Sequence, residues 1–216
     1  PKRLHPQLDE ILSYSFYNKQ IWDSSAFYLK KSLSVAKNPA QLARKEYLLA
    51  QLYSLSGKPD DASVYFQRAK KHTNDPLMLI HARLNDALLA NKTLSNTDES
   101  LNELLKLTKK ERFDGYEDLL FFAAADVALQ KKDTMLAFSY LEKSTRYAQK
   151  NPESTTRNKA FLKYGQLALY QKNYRLAAGC YDSLNLQDPQ LSQDAASIEK
   201  TKNILVELVK QQDIVI

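Results

Sequence analysis

Apolar residues recur along this chain at i, i+3, i+4 and i+7, the period of a helix laid against a core, and no stretch alternates with the period of two that a strand requires. The clearest segment runs from Ala43 to Ala69, ARKEYLLAQLYSLSGKPDDASVYFQRA. Leu49, Ala50 and Tyr53 share one face of a first helix, Gly57 stands at a turn, and Ala62, Phe66 and Ala69 share one face of a second. Each part has a packing reason. Small Ala50 and Ala62 let two antiparallel helices approach closely, Tyr53 and Phe66 fill the wedge beside them, and Gly57 ends the first helix without Cβ strain.

The same unit repeats. Its first small residue falls at Ser13, Ala50, Ala87, Ala125 and Gly165, with spacings of 37, 37, 38 and 40 residues. The second falls at Ser25, Ala62, Ser100, Ala137 and Ala177, with spacings of 37, 38, 37 and 40. A large apolar site four residues later reads Leu29, Phe66, Leu104, Leu141 and Tyr181. Three ladders in one register predict five helical hairpins, at about 6–37, 43–74, 77–111, 116–150 and 156–187. The pattern resembles the tetratricopeptide (TPR) repeat. The fold class expected is therefore all-α, an α-α superhelix in which a TPR-like array over 1–190 is followed by a helix over 191–216. That last helix, with Ile198, Leu205, Leu208 and Val209 on one stripe, acts as a cap or opens a further repeat, because a solenoid must cover its terminal apolar face.

The period exceeds the roughly 34 residues of a minimal TPR, so the connections must be longer than minimal. Asn38-Pro39, Asp75-Pro76, Asn151-Pro152 and Asp188-Pro189 mark four of them, since the residue before proline resists the helical region. The third hairpin fits least well. Asp86 stands where the template wants an apolar residue, and a polar turn over Asn91 to Asp98 leaves Ser95 or Thr97 to cap its second helix.

Composition narrows the class. Of 216 residues, 44% are hydrophobic and 26% charged, with only 4 Gly and 7 Pro, which reads as ordered and helix-rich. No apolar run approaches the roughly 20 residues of a membrane-spanning helix. Net charge is +6, but 31 Lys and Arg are interspersed with 25 Asp and Glu, and clusters such as Lys70-Lys71-His72 fall at helix ends where cations suit the dipole, so no nucleic-acid partner is expected. One cysteine excludes an internal disulfide framework and fits a cytosol or a periplasm equally. The start at Pro1 without a leader and the apolar close Asp213-Ile-Val-Ile suggest processing before and more protein after this segment.

Catalytic and metal chemistry finds no residues to use. His5, His72 and His81 lack ligand-spaced partners, Cys180 has no histidine in its hairpin, and glycines at 57, 115, 165 and 179 make no phosphate loop. The Asn91-Lys92-Thr93 triplet matches a glycosylation acceptor but is common by chance, and Asp60-Asp61 and Asp98-Glu99 suit helix N-termini. No enzyme activity, cofactor or metal is expected.

What remains is a surface that holds a protein or peptide. First helices line the concave face of such stacks. One row of positions there reads Tyr14, Gln51, Leu88, Asp126 and Gln166, and a second reads Glu10, Tyr47, Leu84, Phe122 and Leu162. Tyr14, Tyr47 and Phe122 are the candidate aromatic anchors, with Gln51, Asp126 and Gln166 as orienting groups. Ala50, Tyr53, Gly57, Ala62, Phe66, Ala125, Ala137, Gly165 and Ala177 are the candidate packing residues. The Lys and Asn set with which chaperone-binding TPR domains clamp a terminal carboxylate is missing, since Glu10 and Tyr14 occupy that region.

Several phrases carry a narrower likeness: Ala43-Arg44 with Leu48-Leu-Ala-Gln-Leu-Tyr53, His81-Ala-Arg-Leu-Asn85, Asp126-Val-Ala-Leu129, Lys172-Asn-Tyr174, Cys180-Tyr-Asp-Ser183 and Leu205-Val-Glu-Leu-Val-Lys210. With these the chain resembles the SprE/PorW family, TPR lipoproteins of type IX secretion and gliding motility. Lys45 departs from the pattern, where an aromatic is usual. The resemblance implies a scaffold at the periplasmic face of the outer membrane, with a lipid anchor upstream of this segment. The competing expectation is a TPR sensor module of a membrane-bound transcriptional regulator or kinase, which a membrane span and helix-turn-helix downstream would mark.

Overall fold

A computed structural model describes residues 5–90, 97–151 and 153–214. Residues 91–96, with Ser95 and the Asn91-Lys92-Thr93 triplet, and Pro152 lie outside it. Among the described residues there are eleven α-helices and no strand: α1 His5–Asn18, α2 Trp22–Lys31, α3 Pro39–Leu55, α4 Pro59–His72, α5 Pro76–Ala90, α6 Thr97–Leu107, α7 Glu117–Gln130, α8 Thr134–Lys150, α9 Arg157–Tyr170, α10 Tyr174–Asp182 and α11 Ala195–Ile214. The chain divides into two compact units, Pro1–Lys106 and Leu107–Ile216. In the N-terminal unit α1 packs on α2, α3 on α4, and α2 and α4 each on the helix that follows. In the C-terminal unit α7 packs on α8, α8 on α9, α9 on α10, and α10 on α11. The fold is all-α and built from antiparallel hairpins.

Helix starts follow from capping. Asn38 accepts from the backbone of Gln41 at 2.8 Å with Pro39 in the first turn of α3. Asp133 and Asn173 cap α8 and α10 in the same way, at 3.0 and 3.2 Å. The turns between paired helices obey one rule as well. Backbone N–H groups of Ile21, Lys58, Asp133 and Asn173 reach back to the carbonyls of Phe16, Tyr53, Ala128 and Ala168 at 2.8 to 3.0 Å, the hydrogen bond of a Schellman-type close. The residue before each donor is left-handed: Gln20, Gly57, Lys132 and Lys172, with φ between 58 and 71°. Glycine fills this site in one turn of the four.

At the helix crossings the ladder residues are buried except Ser100, which is half-buried. Ala50, Ala62, Ala125, Ala137 and Ala177 have no exposed surface, and Phe66, Leu104 and Leu141 are buried with them. In the first hairpin the crossing is polar: the Ser13 hydroxyl donates to the Ser25 carbonyl and the Ser25 hydroxyl to the Ser13 carbonyl, both at 2.9 Å. A Cβ built on Gly165 would lie 2.9 Å from the Tyr181 ring, so this crossing tolerates no side chain unless the ring moves. Three second helices also carry a tyrosine with a cation one turn later over its ring. The pairs are Tyr28 with Lys31 at 5.5 Å, Tyr65 with Arg68 at 5.3 Å and Tyr140 with Lys143 at 5.8 Å.

Buried charges tie the hairpins of the N-terminal unit together. Glu46 on α3, fully buried, accepts from Arg68 Nε at 2.8 Å and contacts His72 Nδ1 at 2.6 Å, both on α4. Asp86 on α5 accepts from Ser63 at 2.7 Å, from Gln67 and from Lys70 at 2.8 Å, all on α4. Its carboxylate, out of place in the apolar template, is the polar seam between the second and third hairpins. Lys45, where an aromatic was the family expectation, pairs with Glu10 of α1 and donates to the Ser32 carbonyl at 2.9 Å. Arg83 pairs with Glu103 between α5 and α6.

The shared turn makes opposite predictions for two substitutions. Gly57 has no atom within 4 Å of a built Cβ, so Gly57→Ala acts through the backbone alone and should destabilise by about 1 kcal/mol. Lys132→Gly relieves the same left-handed cost, partly offset by unfolded-chain entropy, and should stabilise by up to about 1 kcal/mol. Urea midpoints of the two variants check both signs; equal shifts in one direction would show that the left-handed site does not govern the turns.

Candidate functional site

On α3 the outward row is Arg44, Leu48, Gln51 and Leu55, residues that share one helical face. The matching row of α1 holds Ile11 and Tyr14, and that of α5 holds Asn85 and Leu88. These first helices enclose two contiguous clefts. One, of about 420 Å³, is lined by Glu10, Tyr14, Leu29, Lys45 and Leu48 among others. The next, of about 390 Å³, is lined by Gln51, Leu55, Phe66, Asn85 and Leu88 among others. Tyr17, Leu48 and Leu52 belong to both. Water reaches much of this apolar surface: Tyr14 is 67% exposed, Leu55 56% and Leu48 40%. Exposure on this scale, contiguous and concave, is what a binding groove shows and a finished core does not.

The candidate anchors separate in the structure. Tyr14 and Gln51 both line this groove. Tyr47 does not; its ring meets Phe66 edge-on at 5.6 Å and its hydroxyl accepts from Asn85 at 2.9 Å, which places it in the packing among α3, α4 and α5. Burial pushes the Tyr47 phenol upward, the Asn85 hydrogen bond opposing. Phe122, in the C-terminal unit, is buried beneath the Lys163 ammonium, 4.7 Å from its ring centre, and Lys163 pairs with Asp126. Asp126 is thus already occupied by a neighbouring helix, and Gln166 is exposed on α9. Leu48, Leu55 and Tyr17 are groove residues that counting positions from the small site missed; the two leucines were the more legible. Their signal was present as the spacing 44, 48, 51, 55, which puts two leucines in a row that an exposed helix face would fill with polar residues.

Against known proteins, no family model matches the sequence and no curated protein does either. Solved structures do match. A tetratricopeptide repeat protein from Parabacteroides merdae ATCC 43184 superposes with a TM-score of 0.56 at 17% identity, over 95% of this chain and 74% of that one. The fold is that of tetratricopeptide repeat proteins. BtubC from P. vanneervenii gives 0.58 at 16% identity, over 91% and 80% of the two chains. Pseudomonas aeruginosa pilF gives 0.55 at 17% identity, over 96% and 91%.

Other chemistry-bearing groups have structural partners. Among the described residues no three His, Cys, Asp or Glu side chains are grouped to hold a metal, and no helix is long and apolar enough to cross a membrane. A polar cleft of about 520 Å³ between residues 153–158 and 183–190 is organised by Asn158, whose amide donates to Asp188 at 2.6 Å and accepts from the Asn185 backbone at 3.0 Å. The backbone N–H of Gln190, then Asn158, hold the Asp188 carboxyl below its usual range. Cys180 is buried on α10, and burial pushes its thiol up to about 11. A thiol so held is a weak nucleophile at neutral pH.

Because the folded chain keeps the Cys180 thiol neutral where an unfolded one would ionise, its contribution to stability is complete below the ordinary value of 9.0 and is lost as pH rises towards about 11. Two outcomes are expected: iodoacetamide at pH 8 labels Cys180 only under unfolding conditions, and Cys180→Ala flattens the loss of stability between pH 9 and 11. Rapid labelling of the native protein would show an accessible, activated thiol instead.

Proposed function

We propose that this protein is a non-catalytic protein–protein interaction module, holding a segment of a protein partner in the α1–α3–α5 groove of its N-terminal unit. The observation that carries the reading is the exposed apolar floor, where Tyr14, Leu48 and Leu55 line two adjoining clefts while Lys45, Glu46 and Asp86 of the same helices are buried and paired. The one carboxylate lining the two clefts, Glu10, is paired with Lys45. The pathway we propose is the one the SprE/PorW resemblance implies, a scaffold of type IX secretion or gliding, carried by an outer-membrane lipoprotein at its periplasmic face. Its support is the set of phrases on α3, α5, α7, α10 and α11, since the fold alone is shared with proteins of many roles.

Two measurements test this. A photo-crosslinking residue at position 48 in the native organism should capture a component of the secretion or motor apparatus, and fractionation should place the protein with the outer membrane. Leu48→Glu is expected to weaken capture at least tenfold with helicity unchanged, because a charge would be buried at the centre of the interface. Val64→Glu, on the exposed face of α4, should leave capture intact. Loss from Val64→Glu alone would move the interface to the second helices and end the groove reading.

A further inference from the structure

The chemistry of the groove says what kind of segment it takes. A strand laid across it would bring one N–H and one C=O per residue into an apolar cleft, and each would need a partner. Few are on offer. The Asn85 amide is used on Tyr47, the Ser54 hydroxyl on the Ala50 carbonyl, the two serines of the first crossing on each other, and Lys45 on Glu10 and Ser32. Gln51, Tyr14 and Tyr17 are the other polar side chains lining the two clefts, three groups for a backbone that brings two per residue. A helix brings its own backbone hydrogen bonds and asks only for apolar contact.

The two clefts adjoin. Tyr17, Leu48 and Leu52 line both of them, so one continuous segment can reach from the first into the second. A helix rising about 1.5 Å per residue returns to the same face after seven residues, about 10.5 Å on. Charge completes the description. Arg44 stands one turn before Leu48 on the same row, exposed and with no ion pair among the described residues, whereas the Glu10–Lys45 pair in the first cleft is internally balanced. Arg44 is therefore an unpaired cation on the face of α3 that borders the groove, while the one carboxylate lining the clefts, Glu10, is already paired.

From these observations we propose that the groove receives an amphipathic α-helix of a protein partner, which seats two large apolar side chains seven residues apart in the two clefts and turns an acidic residue towards Arg44. This rests on the protein-binding reading and specifies its ligand.

Selection from displayed peptides on the immobilised full-length protein tests it. Three pools are used: a helical scaffold randomised at positions i and i+7 and at its flanks, the same composition interrupted by proline, and peptides ending in a free carboxylate. Enrichment of the helical pool is expected, with large apolar residues at both anchor positions and Asp or Glu at one flank. Selected peptides should gain helical circular dichroism on binding and lose at least tenfold in affinity against Leu48→Glu and against the milder Leu48→Ala. Arg44→Glu should cost about tenfold, restored when the acidic residue of the peptide is changed to Lys. Enrichment of proline-interrupted or free-carboxylate peptides that still depend on Leu48 overturns the helical ligand and leaves the groove reading standing. No enrichment, or binding indifferent to position 48 in variants whose melting is unchanged, overturns both.

Discussion

Everything in this protein depends on two antiparallel helices passing close enough that a side chain larger than alanine or serine cannot stand between them. At Ala50 and Ala62, and again at Ala125 and Ala137, the crossing is sealed by methyl groups. Ser13 and Ser25 bring the backbones equally near and satisfy their hydroxyls on each other's carbonyls, so a polar pair does the work of an apolar one without leaving an unpaired group. Gly165 and Tyr181 show the volume rule from the other side: where the wedge residue grows from leucine to tyrosine, the crossing residue gives up its Cβ. Once the crossing is fixed, the turn is fixed, and with it the angle at which the outward rows face solvent.

That dependence explains which features were legible beforehand. The crossings, the wedge residues and the hairpin register are local, repeating and dictated by size, so a sequence with the right period displays them directly. The left-handed turn residue is dictated by geometry but not by identity, and Gln20, Lys132 and Lys172 occupy it without the glycine that marks Gly57. Buried charge is harder still. Glu46, Asp86 and Lys45 read as ordinary surface residues or as flaws in the template, because the groups that pair them lie 13 to 35 positions away on other helices. The same limit divided the candidate anchors. Residue type cannot tell an aromatic left in water, as Tyr14 is, from one that packs inside the fold, as Tyr47 and Phe122 do.

In the C-terminal unit Asp126 and Lys163 close on each other above Phe122, so that ring is covered from within, although Tyr170 at the end of α9 stays exposed. In the N-terminal unit the usual distribution is turned inside out. Carboxylates and an ammonium lie under the surface, at Glu46, Asp86 and Lys45, while Ile11, Leu48 and Leu55 lie on it. Both halves of this inversion serve one end. A groove that keeps apolar residues in water forgoes the stabilisation of burying them, about 25 cal/mol per Å². Without another constraint its helices could slide to cover them. Hydrogen-bonded charges supply that constraint: Glu46 accepts from one register of α4 and Asp86 from another, and a shift of α4 by one turn would strand a buried carboxylate at a cost of several kcal/mol. Internal ion pairs contribute little net stability by comparison with apolar packing, but they penalise every alternative arrangement. The buried charges hold the leucines in the open.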